Sequence, residues 1–232
     1  MPHLVLVTRP KEQAKDLIQS IYGLGGIPLV QPLLSIVKCN PSFDGLDRPE
    51  AIIITSSQAV VMVPYASADS IPVYCVGKKT AEQAKQAGYL YVQSAEGNVQ
   101  DLIKLIRHRV KQGDKILYLR GEFITHNLVQ DLRDYVCQEI IMYQALAIDY
   151  FSQDILDKFS EIAVITLFSP RSGQILKMNI DRYSLETYLL RIKLLCLSEA
   201  VLESVQDLPW ASCHVSPQPN IDSFVTKLRD IL

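Results

Sequence analysis

The chain has 232 residues, 48 % of them apolar and 21 % charged, with a net charge of −2. That length allows two modest domains with real cores, and the composition excludes long disordered tracts. The charge gives a nucleic-acid partner no global support, and no apolar stretch approaches the roughly 18 residues of a membrane span.

Short continuous apolar runs predict strands over 4–8, 28–31, 51–55, 72–76, 89–92, 115–119, 138–142, 162–168, 192–197 and 211–215. Runs of this kind suit parallel strands whose two faces are both covered. Amphipathic segments lie between them. Pro10 suits a first helical position, followed by an apolar face of Ala14, Leu17, Ile18, Ile21 and Tyr22. Val99, Leu102, Ile103, Ile106 and Val110 make a second such face, and Phe224, Val225, Leu228 and Leu232 a last one. The run Arg107-His108-Arg109 closes the second helix, where positive charge suits the dipole. The alternation predicts an α/β fold with doubly wound sheets.

The pattern also repeats. Val5-Leu-Val-Thr-Arg-Pro returns as Leu117-Tyr-Leu-Arg-Gly-Glu, and Ile52-Ile-Ile-Thr-Ser-Ser-Gln as Ile165-Thr-Leu-Phe-Ser-Pro-Arg. Ile71-Pro-Val-Tyr-Cys-Val-Gly returns as Ile192-Lys-Leu-Leu-Cys-Leu-Ser, and Ser94-Ala-Glu-Gly-Asn as Ser216-Pro-Gln-Pro-Asn. The order is kept at an offset of about 110 to 120 residues, a domain's length rather than a solenoid's. Two similar α/β units follow, with a ligand expected between them. The stretches from Pro32 to Lys38 and from Tyr143 to Tyr150 exceed what one sheet needs and are expected to carry the chain between units, paired as a ladder.

Five cysteines without C-x-x-C spacing point to a reducing compartment. The apolar run Leu4 to Val7 is too short for a signal peptide, so a cytoplasmic protein is expected. Neither G-x-G-x-x-G nor a P-loop nor G-x-S-x-G occurs, and the four histidines lack metal-ligand spacing, so dinucleotide, P-loop, nucleophile-elbow and metal sites lack their usual signatures.

What remains is small polar residues at the carboxyl ends of predicted strands: Thr55, Ser56 and Ser57, their mates Ser169 and Arg171, Gly77 with Thr80, Ser198, and Gly97 with Asn98. There, helix N-termini offer free N–H groups and partial positive charge to anionic ligands. Each Ser or Thr alone is most often a plain N-cap. Arg9 and Arg120 stand at two such ends, as added charge or as structural ion pairs. Tyr143 lies in the second crossing, either packed there or placed to donate a proton beside a polyanion.

These residues resemble the uroporphyrinogen-III synthase family over essentially the whole chain. The resemblance rests on Val7-Thr-Arg-Pro, Ile54-Thr-Ser-Ser-Gln-Ala-Val, Val76-Gly-Lys-Lys-Thr-Ala, Leu119-Arg-Gly, Met142-Tyr-Gln and Phe168-Ser-Pro-Arg-Ser-Gly, in this order. It implies two flavodoxin-like domains with parallel sheets flanked by helices, joined by a two-stranded β-ladder. The domains would be 1–36 with 147–232, and 37–146, with the active-site cleft between them. It implies a monomer acting without cofactor or metal on linear hydroxymethylbilane, which loses water and closes with inversion of ring D. By motif position Tyr143 becomes the general acid; Ser56, Thr80 and Ser169 become cleft-lining groups, Gly121 completes Leu119-Arg-Gly, and Lys193 falls where a family lysine lies. Leu197-Ser-Glu-Ala-Val departs from the family pattern by lacking a hydroxyl near Val201, which leaves contacts there to Ser198 and main-chain amides. The competing reading is a non-catalytic two-domain clamp for a small polyanion.

Overall fold

The computed structural model describes residues 3–61, 63, 71–95, 97–124 and 126–232. Glu96, beside the predicted Gly97 and Asn98, lies outside them. The chain begins β1 (Leu4–Val7), α1 (Lys11–Gly23), β2 (Ile27–Val30), β3 (Leu34–Lys38) and β4 (Ala51–Ile54). It continues through β5 (Val73–Val76), α2 (Lys78–Gln86), β6 (Val92–Ala95), α3 (Val99–Arg109), β7 (Lys115–Gly121), α4 (Leu128–Asp131) and β8 (Val136–Ala147). The last part holds α5 (Gln153–Lys158), β9 (Ile162–Leu167), α6 (Pro170–Tyr183), α7 (Glu186–Leu189), β10 (Lys193–Cys196), α8 (Glu199–Glu203), β11 (Ser212–Val215) and α9 (Ile221–Ile231).

Two compact units result, Met1–Ser35 with Leu146–Leu232, and Ile36–Ala145. The chain passes between them inside β3 and inside β8, which are neighbouring strands of one sheet. In the first unit the sheet runs β11-β10-β9-β1-β2, every pair parallel. In the second it runs β3-β8-β7-β4-β5-β6, parallel from β8 to β6.

The sequence repeat maps β1 onto β7, β4 onto β9, β5 onto β10 and β6 onto β11. Substituting these mates turns β11-β10-β9-β1 into β6-β5-β4-β7, the order found in the other sheet. Each unit therefore combines strands from both repeats. Contiguous repeat halves would have left β1 and β2 without β9 as a neighbour.

Alternation places each strand's residues on two apolar faces, as burial on both sides demands. In β4, Ile52 and Ile54 join one cluster with Ala81 and Ala84 of α2; Ala51 and Ile53 join another with Leu102, Ile103 and Ile106 of α3. In the first unit, Val5 and Val7 meet Leu17 and Ile21 of α1 and Phe224 and Leu228 of α9, while Leu6 faces Ile175, Leu176 and Ile180 of α6. Fully burying each such Leu or Ile contributes about 1.5–3 kcal/mol, so these clusters rather than helix propensity hold the layers.

Helix starts follow side-chain chemistry. Asn98 accepts from the amides of Gln100 and Asp101, and Asp101 answers with a capping box; its repeat mate Asn220 caps α9 through the Ser223 amide at 2.9 Å. Such a cap contributes about 1 kcal/mol. Pro10 stands one position before the expected one, as the residue preceding α1. Tyr22, expected on the inner face of α1, is exposed.

One predicted strand is displaced. The 89–92 run is not a strand up to Val92: Tyr89 turns inward, its hydroxyl accepting from the Val63 amide and donating to the Val61 carbonyl, and Leu90 and Tyr91 are exposed. The edge strand β6 instead uses Val92-Gln-Ser-Ala, since an edge position does not require two apolar faces.

Candidate functional site

Strand order decides where a ligand belongs. From β4 the chain winds outward through β5 and β6, and from β7 it winds the other way to β8. The carboxyl ends of β4 and β7 thus flank a topological switch point, where adjacent connections diverge and leave a crevice. A cavity of about 360 Å³ opens there. Thr55 and Ser56 line it from the end of β4, Val76 from β5, Tyr118 and Gly121 from β7, and Tyr143 from β8; Phe123, Ile124 and His126 on the following loop, Val99 and Leu128 complete it.

Gly121 stands opposite Tyr143 in the β7–β8 ladder, directly after a register shift. A Cβ at Gly121 would lie 2.5 Å from Cζ of Tyr143 and 2.7 Å from its hydroxyl. The ring therefore occupies the volume any side chain at 121 would need. Tyr143 is half-buried, with its carbonyl accepting from the Glu122 amide at 2.9 Å. Behind it, the Tyr118 hydroxyl shares a 3.1 Å hydrogen bond with Oγ1 of Thr55. Burial is the main cause that pushes the Tyr118 phenol up, against the Thr55 bond and the Arg120 charge. It remains protonated at neutral pH.

Arg120 is not a free charge at this edge. Its Nε donates to Glu139 at 2.6 Å, and Nη1 donates to the carbonyls of Gly121 and Glu122. The guanidinium fixes the turn that follows β7 through these bonds. Lys193 stands apart from this edge. It opens β10 at the amino end of the sheet, away from the carboxyl edge, and its Nζ donates to the Ile231 carbonyl of α9 at 2.5 Å.

The remaining predicted residues in this unit take defined local roles outside the cavity wall. Ser57 starts a short 3₁₀ turn whose cap is Ser56, the acceptor for the Gln58 amide. Gly97 adopts φ +117°, and a Cβ there would meet Oδ2 of Asp101 at 2.9 Å, so glycine is required before the Asn98 cap. Thr80 is buried in the first turn of α2. Gly77 precedes α2 with φ +80° and no side chain, so no side-chain cap covers that helix's first amides, and a Cβ there would meet only open space. Lys78 and Lys79 are exposed beside it.

In the first unit the equivalent switch point lies between β1 and β9. Thr8 donates to the Thr166 carbonyl at 2.6 Å and Thr166 to the Leu6 carbonyl at 2.9 Å, tying the two strand ends. Under the repeat, Phe168 replaces Thr55 and Arg9 replaces Gly121. The Arg9 guanidinium lies 4.4 Å over the Phe168 ring, and its buried Nε has no hydrogen-bond partner. Burial lowers its pKa, against the opposing influence of Asp16. Ser169 caps α6 through the Ser172 amide at 3.1 Å, with Pro170 and Arg171 in the first turn. Ser198 precedes α8 without a side-chain cap bond.

Sequence reasoning missed Tyr118, Phe123 and His126. Tyr118 was visible as an aromatic residue one position before the end of the predicted 115–119 strand. Phe123 and His126 sit on an irregular loop with no period to betray them. Among the described residues no group of three His, Cys, Asp or Glu side chains is placed to hold a metal ion.

Comparison with curated protein sequences finds no match. Among solved structures, the chain is similar to uroporphyrinogen-III synthetase from Helicobacter pylori, with TM-score 0.65, 13 % identity and all of both chains covered. It is also similar to a mutant uroporphyrinogen III synthase from Thermus thermophilus, with TM-score 0.56, 13 % identity, 99 % of this chain covered and 97 % of that one. At such identity these likenesses establish the fold. A family model described as uroporphyrinogen-III synthase HemD matches residues 15–226, nearly the full length. The chain therefore belongs to the uroporphyrinogen-III synthase family.

Proposed function

We propose that the family's reaction, closure of hydroxymethylbilane to uroporphyrinogen III with loss of water and inversion of ring D, runs in this chain beside the Tyr143 cavity. The observation that carries this reading is a phenol seated on Gly121 at the sheet's switch point. The reaction asks little of a protein chemically. When the terminal C–O bond breaks, the attached pyrrole stabilises the cation, and hydroxide leaves as water once it receives a proton. Tyr143 donates that proton, with Gly121 fixing the ring and Thr55, Ser56 and Tyr118 supplying hydroxyls around it.

The substrate's carboxylates need donors elsewhere. Of the predicted anion-binding turns, Gly77 at the start of α2 is the best suited, because its first-turn amides carry no side-chain cap and two exposed lysines follow. Asn98 and Ser169 already satisfy amides of their own helices, so they contribute chiefly by fixing those helix ends. Arg9 adds charge at the edge of the first unit, its guanidinium held over the Phe168 ring.

No helix among the described residues is long and apolar enough to cross a membrane. We take the protein to act as a cytoplasmic monomer. The deciding experiment feeds hydroxymethylbilane to purified protein without added metal or nucleotide and separates the product isomers. The type III isomer is expected; the spontaneous type I isomer alone would favour the non-catalytic clamp.

A further inference from the structure

The loop after β7 places a second titratable group on the Tyr143 cavity. Asn127 caps α4 by accepting from the Gln130 amide, which turns the chain so that Asp131 comes back beside His126. His126 Nε2 is hydrogen-bonded to Oδ2 of Asp131. Arg107 of α3 donates to the Asp131 carbonyl at 3.0 Å and fixes the end of that turn. The imidazole is therefore oriented by a carboxylate whose main chain is anchored, while remaining partly exposed.

The rest of the cavity wall is hydroxyl, phenol or apolar: Thr55, Ser56, Tyr118 and Tyr143 are its other polar side chains. Among the described lining residues, His126 alone can carry positive charge. With Nε2 bonded to Asp131, Nδ1 is the ring nitrogen left for a ligand, and it donates only when the ring is protonated.

We propose that His126, oriented by Asp131, pairs as an imidazolium with a substrate carboxylate and so sets the position of the reacting end beside Tyr143. This rests on the proposed reaction. His126 is a binding and positioning residue, and it takes no part in the proton transfer. The charged and titratable groups around it are Asp131 on α4, Arg107 on α3, Tyr118 on β7 and Tyr143 on β8. Carboxylates, guanidinium groups and phenols as classes titrate outside the neutral range, and imidazoles as a class within it.

The test is steady-state formation of type III product from hydroxymethylbilane by the full chain, compared at about pH 6 and about pH 8.5. For His126→Gln, KM at the lower pH should rise about tenfold, as expected for a lost charge-assisted bond. At the higher pH it should approach the parent's, with kcat within about twofold throughout. Asp131→Ala, which leaves the ring unoriented, should raise KM at the lower pH severalfold. A His126→Gln enzyme whose KM matches the parent's at both pH values overturns the assignment, and so does a loss confined to kcat. Failure of the unmodified protein to make type III product would instead overturn the reaction, which keeps the two outcomes apart.

Discussion

Position 121 has no side chain because Tyr143 fills the space, and this couples two residues that are far apart in the sequence. Gly121→Ala should displace the ring and destabilise the fold by about 1–3 kcal/mol, the usual cost of overpacking. Tyr143→Phe leaves the packing and removes only the acidic hydroxyl. Its kcat should fall by about 10²-fold with KM within about twofold, since proton donation matters mainly in the transition state. The double variant should lose little more kcat than Tyr143→Phe alone, because displacing a ring without a hydroxyl costs no further catalysis. Fully multiplicative losses would show that Gly121 and Tyr143 act independently. Tyr143 was legible as a candidate from its place in the second crossing. The glycine that seats it was legible only as part of a motif, because its partner is fixed by the β7–β8 register.

Elements were legible wherever a strand is buried on both faces. The Ile52-Ile-Ile and Val73-Tyr-Cys-Val runs announced β4 and β5, whereas the edge strand β6 is half polar and the more apolar Tyr89-Leu-Tyr run beside it misled. Strand-end residues were legible as a class, since α/β topology places them on the sheet's carboxyl edge; which turn remains open was not, because an Asn or Ser cap and an uncapped Gly look alike until the helix is seen. Central strands also explain two thiols. Burial pushes Cys75 and Cys196 up to about 12, whereas an unfolded thiol titrates near pH 8.5. Their contribution to stability is complete below the unfolded value and is lost as pH rises toward the folded one. Alkaline unfolding should therefore steepen above about pH 9, and Cys75→Ala with Cys196→Ala should flatten that slope. In native protein, iodoacetamide should modify exposed Cys213 well before either strand thiol; equal rates would contradict the burial.

At the scale of the whole molecule, the repeat and the units do not coincide. Apart from the crossing strand β3, each sheet takes two strands from one repeat and three from the other, and its order reappears in its counterpart under the repeat's own mapping. A sequence repeat reports ancestry along the chain, while packing reports which apolar faces meet; β1 must lie against β9 because Leu6 belongs with Ile165 and Leu167 in one cluster. Autonomy therefore belongs to the unit, not the repeat. The stretch Ile36–Ala145 contains both of its own apolar clusters, one on each sheet face, and the Tyr143 cavity. Expressed alone, it should unfold in urea as a single cooperative transition, with the slope of a domain of about 110 residues. A fragment cut instead at the repeat boundary near residue 112 would lack β7 and β8, exposing one side of β4, and should unfold broadly. Should the repeat-bounded fragment prove the cooperative one, the packing argument for the units fails.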